Sequence, residues 1–506
     1  MFLLMLSSVT FTCLSRVLKD IKVFHVASFI VVILMLLSVV TYFVPDEGWE
    51  LGGMKFQFLT KEDFYTPKKQ EKADITDLLA TIDTSMVATD PSIIHQNGSN
   101  GNLGAANGGD VSEDASTELQ TNAAGKENLH AFFKVLHSAA ADRKKISILH
   151  YGDSQIEGDR MTSYIREKVQ SQFGGYGPGL IPATNVYSTI TYKQAYSENF
   201  QRFTCFGGPR LESRQYGAMA SASRFTPEYI LDSINLDTMK IQSGWIEFQP
   251  SGNAYSRAKT YNNVKMHYNS CLAETALKVY QDGALIHEED LITDGGQHTF
   301  SLSFPSSPGK LKYGFSGKVS PNICAFSLEG DYGVQVSNVG MRGTSANVIG
   351  GIKYNTIKAM HNELNTKLVI MQFGGNSVVH FKDSAGVRSS VYTFKKYINV
   401  IQQMNPDAMV VVIGPSDMSK LDDQIYETYP LLPYFVTQLK DATIASGAGF
   451  WNLYAAMGGK NSMPAWVEKG LAGNDHTHFT NGGAKFASQL FYNALIAEYA
   501  KWKNSQ

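Results

Sequence analysis

The chain offers no charge surplus to a polyanion. Over 506 residues, 44 Lys and Arg stand against 46 Asp and Glu, leaving −2 overall. Nothing in that balance suggests a nucleic-acid partner. Cysteine is scarce: Cys13, Cys205, Cys271 and Cys324, with no CxxC pair, which argues against a structural zinc site. Three of the four lie beyond the apolar segment near the N-terminus, and an odd number defines no disulfide framework. No repeat at solenoid spacing occurs. What the chain has is length and apolar mass. At 43% hydrophobic and 11% aromatic it can build sizeable cores, enough for two or three domains.

Asp, Glu, Lys and Arg are absent from Val23 to Val44. Twenty-two residues rising ~1.5 Å each span about 33 Å, which predicts a transmembrane helix. Arg16, Lys19 and Lys22 precede it, and Asp46 and Glu47 follow. The positive-inside rule then keeps residues 1–22 cytoplasmic and exports the rest. A long cleaved signal peptide is the rival reading, disfavoured by the length of the run and the lack of a small-x-small exit. Residues 45–126 read as an extracytoplasmic stalk and flexible linker. From Pro91 the composition turns to Asn, Gly, Ser and Ala, too polar to offset its ordering entropy.

Globular patterning begins near Leu129. Five apolar runs suit buried strands: 146–149, 334–339, 368–373, 409–413 and 450–454. Helix-like stretches separate the later ones, which implies an α/β fold with a parallel sheet covered on both faces. After Ser154, Met161, Ile165, Val169 and Phe173 recur every four residues, one helix face. The stretch FGGYGPG (173–179) reads as bare backbone lining a cleft or as a plain helix stop and turn. Residues 190–331 differ: period-two alternation and a hairpin at Asp282-Gly283 predict an inserted β-sandwich. Residues 127–189 and 332–506 then form the two parts of one α/β domain.

Four elements in that domain carry chemistry. HYGDSQIEGDRM (150–161) places Ser154 at a strand exit. A serine there suits a nucleophile in an open α/β sheet, provided a base removes its proton. The alternative is that Ser154 or Asp153 caps the following helix. NDHTHFT (474–480) holds Asp475 and His478 three apart, an acid able to orient and stabilise an imidazole base. The rival readings are metal binding by the pair His476 and His478, and surface histidines in a polar loop. NVGMRGT (338–344) and GGN (374–376) follow strands, and their backbone N–H groups and the Asn376 amide are candidate oxyanion donors.

Together these residues resemble the SGNH (GDSL-type) hydrolase family: GDS at 152–154, the glycine block at 338–344, GGN at 374–376 and DHTH at 475–478. The resemblance implies a three-layer fold on a parallel five-stranded sheet. It implies Ser154 as nucleophile, Asp475 and His478 as its partners, and an oxyanion hole of Ser154 N–H, Gly343 N–H and Asn376. Two departures are Gln155, where leucine is common, and Ser377, where aspartate is common. His476 is not the family's base position and is expected to line the site. With its long β-rich insertion the layout is similar to bacterial peptidoglycan O-acetylesterases and O-acetyltransferases, whose insertion resembles a carbohydrate-binding module. Trp245, Tyr255, Tyr261 and Tyr268 are then candidates for stacking on sugars, with core packing as the alternative.

The expected function is a membrane-anchored extracytoplasmic serine esterase removing acetyl groups from a cell-envelope glycan, with no metal or organic cofactor. The partners expected are the acetylated polysaccharide and, through one helix, the inner membrane. The alternatives are an O-acetyltransferase served by a membrane acetyl-donor partner, and a glycan-binding envelope protein with an inactive hydrolase domain.

Overall fold

The structure is a computed structural model and describes residues 23–40, 49–51, 54–56, 69–82, 117–229 and 235–506. Five strands form a parallel sheet: β1 (Lys145–Gly152), β2 (Gly333–Gly340), β3 (Thr366–Gln372), β4 (Met409–Ile413) and β5 (Gly449–Trp451). Their order across the sheet is β2-β1-β3-β4-β5. Both faces are covered, so successive side chains of each strand enter two separate cores. Ile146, Ile148, Leu368, Ile370, Val411 and Ile413 pack on one side, with α2 (Ala123–Ser138), α3 (Thr162–Phe173) and α7 (Asn481–Asn504). Leu149, Tyr151, Val369, Met371, Val410 and Val412 pack on the other, with α4 (Tyr354–Glu363), α5 (Ser384–Met404) and α6 (Leu432–Ala445). Fully burying each aliphatic side chain contributes about 1.5–3 kcal/mol, which is why these strands read as unbroken apolar runs.

The chain enters this sheet one strand in from an edge, turns outward to the edge strand β2 and returns to β3 on the other side of β1. Loops leaving β1 and β3 therefore diverge, and a crevice opens beyond their carboxyl ends. The predicted face of α3 is buried: Met161, Ile165, Val169 and Phe173 all sit in the first core. The helix itself starts later than the pattern suggests. A short 3₁₀ turn, Glu157–Asp159, intervenes, and Met161 holds the N-cap position without a side-chain cap bond. Neither Asp153 nor Ser154 caps it.

The insertion is a sandwich of two antiparallel sheets. One has five strands and the other six, the sixth being Gly179–Pro182, ahead of the expected boundary at 190. Between them lie Ile246, Phe248, Val264, Tyr313, Phe315 and Phe326. The rings of Phe248 and Tyr313 meet that of Phe326 at 4.9 and 4.8 Å between centroids. Residues 173–179 serve mainly as packed backbone, with Pro178 bordering a cavity beside the nucleophile turn. They pack against the strands: a Cβ on Gly175 would lie 2.5 Å from the Val334 backbone N and O, and its φ is +103°.

At the N-terminal side the described structure differs from expectation in two places. The predicted 22-residue span is helical as α1 (Val23–Val40), 18 residues, and 41–44 fall outside the described residues. Among the described residues no helix is long and apolar enough to cross a membrane. The linker expected through residue 126 also ends sooner, because Asn122 caps α2 by accepting from Gly125 N–H. Just before it, Gln120 bridges Phe450 at the sheet edge, with N–H···O distances of 2.9 and 2.8 Å. Within the expected stalk, Ile75 is buried in the first core and Ala73 N–H donates to Asn461 O. Residues 83–116, most of the expected linker, fall outside the described residues.

Candidate active site

Ser154 follows β1 by two residues, and the His478 loop precedes α7. Folding the sheet brings them together: Ser154 Oγ lies 2.8 Å from His478 Nε2, and His478 Nδ1 lies 2.7 Å from Asp475 Oδ2. Burial alone would raise the Asp475 carboxyl. Hydrogen bonds from the His478 backbone N–H, the His478 ring and Thr477 N–H instead hold it below the usual carboxylate range. An ionised carboxylate only accepts, so Nδ1 carries the proton and Nε2 is left to accept from the Ser154 hydroxyl. That is the tautomer a general base requires.

The oxyanion candidates are placed unequally. Asn376 shares a cavity of about 130 Å³ with Ser154, Gly375, Ser416 and His478. Its Nδ2 donates one hydrogen to Thr344 O at 2.9 Å, which orients the amide and leaves the second N–H available. Gly343 does not line this cavity. It sits one residue before Thr344 at φ +75°, a left-handed conformation with open space where a Cβ would be. The glycine block thus supports Asn376 through the Thr344 carbonyl.

His476 does not line the site. Its ring stacks on Tyr426 at 3.4 Å between centroids and 7° between planes. The two rings of the His-x-His pair therefore face different partners, which disfavours joint metal ligation. Among the described residues no cluster of three His, Cys, Asp or Glu is disposed to hold a metal ion. Cys205, Cys271 and Cys324 are free and buried, and Cys13 lies outside the described residues.

Three neighbours of Ser154 do more than the sequence indicated. Gln155 Nε2 donates to Thr477 O at 2.6 Å and to Ser416 Oγ at 3.3 Å, while its Oε1 accepts from Phe479 N–H at 3.3 Å. One amide so grips the backbone on both sides of His478. Arg160 donates to Phe479 O at 2.9 Å and also to Ser154 O, joining the same two loops. Asp153 is buried, and burial pushes its carboxyl up to about 6 despite the Gln155 N–H bond and the charges of His478 and Arg160. The departure from leucine at 155 was the available signal, since an amide beside a buried turn needs partners. Nothing local marked the bond from Arg160 to Phe479 O, a carbonyl 319 positions away.

The insertion's aromatic candidates divide. Tyr261 and Tyr268 are buried in the sandwich core, and Tyr255 packs edge-on to Tyr164. Trp245 instead faces outward, with Lys312 Nζ 4.6 Å above its ring. It lines a trough of about 660 Å³ whose floor includes Gly314 and Ala276 and whose far wall is Tyr280. Tyr280 was not among the sequence candidates.

No family model matches the chain, and no curated protein matches it. Solved structures do. One of a peptidoglycan O-acetylesterase in action is 19% identical, covers 76% of this chain and 99% of its own, and gives a TM-score of 0.58. An acetyl xylan esterase is 17% identical over 32% of this chain and 81% of its own, at 0.25. A family two carbohydrate esterase from Clostridium thermocellum, in complex with cellohexaose, is 11% identical over 52% and 93%, at 0.23. The first alignment spans nearly all of its own chain, and over that span this protein has the fold of a peptidoglycan O-acetylesterase.

Proposed function

We propose that the protein is a serine esterase that removes O-acetyl groups from a cell-envelope glycan such as peptidoglycan. The observation that carries this reading is the hydrogen-bonded chain Ser154–His478–Asp475, set beside a cavity that Asn376 shares. Ser154 Oγ attacks the acetyl carbonyl carbon while His478 Nε2 takes its proton. The oxyanion is held by Ser154 N–H, the free N–H of Asn376 and, if the glycine block closes on the ester, Gly343 N–H. Collapse expels the sugar oxygen, which receives the proton from Nε2. Water then attacks acetyl-Ser154, His478 takes and returns its proton, and acetate leaves.

An O-acetyltransferase would share the first half of this scheme and differ in what meets the acetyl-serine. Two side-chain exposures favour water: His478 keeps 37% and Asp475 53% of their accessible surface. A transferase must hold a sugar hydroxyl in line and keep out water at about 55 M. The test is the partition of a labelled acetyl group between acetate and added glycan oligosaccharide. We expect most label in acetate at millimolar acceptor; most label on sugar would replace the esterase by the transferase.

We also place the catalytic part outside the cytoplasm, held at a membrane by the apolar run 23–44. Its support is the basic flank before Val23 and α1, whose described side chains from 25 to 39 are all exposed. Alkaline extraction of membranes should leave the full chain in the pellet, and release into the supernatant would contradict the anchor.

A further inference from the structure

A second cavity lies where the sandwich meets the nucleophile turn. One wall is Glu157–Asp159, beginning three residues after Ser154, and another is Leu180–Pro182. Tyr187, Tyr192, Arg166 and Arg202 also line it. Its volume is about 50 Å³. On the same measure a water needs about 10–15 Å³, so the space holds a few waters or one small anion.

The charged side chains that line it are not all paired. Asp159 is satisfied: Arg166 donates to both of its oxygens, at 2.6 and 3.1 Å, and Thr191 donates a third bond. Glu157 has Arg342 at 3.8 Å. Arg202 has its Nε buried without a hydrogen-bond partner, and among the described residues it makes no ion pair. Burial holds its guanidinium below the usual arginine range, and the groups that act on its charge are the phenols of Tyr192, Tyr187 and Tyr196. The Phe206 ring lies 5.7 Å from the guanidinium carbon. Arg166 is taken by Asp159, and Glu157 has Arg342 from outside the lining, so of the two arginines that line the cavity Arg202 is the one left unmatched. A guanidinium in such surroundings calls for an anion, and a carboxylate matches its fork geometry with two parallel bonds.

We propose that Arg202 anchors an anionic subsite that takes a carboxylate of the substrate glycan, carried on the sugar or on a peptide attached to it. This rests on the esterase reading for the identity of the ligand and on the cavity for its chemistry. Glu157 N–H bonds to Ser154 O, so the subsite shares a turn with the nucleophile. A carboxylate held there would fix the register of the glycan relative to Ser154.

The test is binding without turnover. Full-length protein carrying Ser154→Ala is titrated calorimetrically with acetylated glycan oligosaccharides in three forms: carboxylates intact, sugar carboxylates amidated, and peptide carboxylates amidated. We expect one amidation to weaken binding about tenfold and the other to have little effect, which identifies the source. Adding Arg202→Gln should abolish that difference, and Arg202→Lys should retain part of it. Equal binding of all three forms by the Arg202 chain would overturn the subsite, a result that needs no second variant to fold. Acetate release by the wild-type chain from a small neutral aryl acetate is measured beside it. Its failure would remove the esterase reading and leave the carboxylate preference to stand or fall alone.

Discussion

Gln155 and Arg160 hold the base loop against the nucleophile turn, and this arrangement has consequences at single positions. Gln155→Leu would strip the Thr477 carbonyl and the Phe479 N–H of their partner where both are shielded. An orphaned buried group costs about 1–3 kcal/mol. We expect a lower melting temperature and a kcat reduced at least several-fold with KM little changed, because His478 would lose its register. Wild-type values for both would show that the amide is not a clamp. Asp153 gives a pH signature. Its native value of about 6 lies above the ordinary 3.8, so the fold favours its protonated form. Its contribution is therefore full below about pH 3.8 and is lost as pH rises through about 6. A rise of about 2 units corresponds to roughly 3 kcal/mol. In urea unfolding, Asp153→Asn should match the wild type near pH 4 and exceed it by up to that amount near pH 8. Equal stability at both pH values would mean Asp153 is not held protonated. Ser154, Asp475 and His478 were legible because strand exit and acid-x-x-histidine spacing are local features. The Arg160 and Gln155 contacts were not, since they join segments more than 300 residues apart.

At the scale of elements, the apolar runs and the period-four face of α3 were readable because buried strands and helix faces write their burial into the sequence. Their ends were less so. The 3₁₀ turn before α3 depends on Gly158 and Asp159, both at positive φ, and on Asp159 pairing with Arg166 inside the core. The start of α2 hides in a polar stretch, because Asn122 acts there as a cap and not as linker. Within the sandwich, alternation showed which residues face inward only once the register was known. Tyr261 and Tyr268 went to the core, and Trp245 stayed outside with Tyr280 across the trough. Lys278 and Lys310 on that face pair with Glu288 and Glu247, at 2.9 and 3.3 Å, while Lys312 covers the Trp245 ring. Such a trough is remote from the reacting carbonyl and should serve long substrates only. Trp245→Ala should raise KM for polymeric glycan severalfold and leave small-ester turnover unchanged. Unchanged polymer kinetics would make the insertion a scaffold.

For the whole molecule, the architecture follows from one topological fact. The sheet is parallel and starts at an interior strand, so the loops after β1, β2 and β3 and the loop before α7 converge on one edge. Ser154, the glycine block, Asn376 and the Asp475–His478 pair occupy those loops, and elements scattered over 325 positions of sequence, 154 to 478, become one site. The alternation of strands and helices made the parallel sheet legible. It did not reveal how the sandwich would seat against the nucleophile turn, because that junction is built from Arg166, Arg202 and Asp159, which carry no periodic signal. The central claim is that Ser154 carries the acetyl group. The most direct measurement is acetate release from acetylated glycan by the full chain and by Ser154→Ala, with folding checked by thermal melt. The account predicts a loss of at least about three orders of magnitude at an unchanged melting profile, as expected when the nucleophile of a triad is removed. Near wild-type release by the folded variant would contradict it.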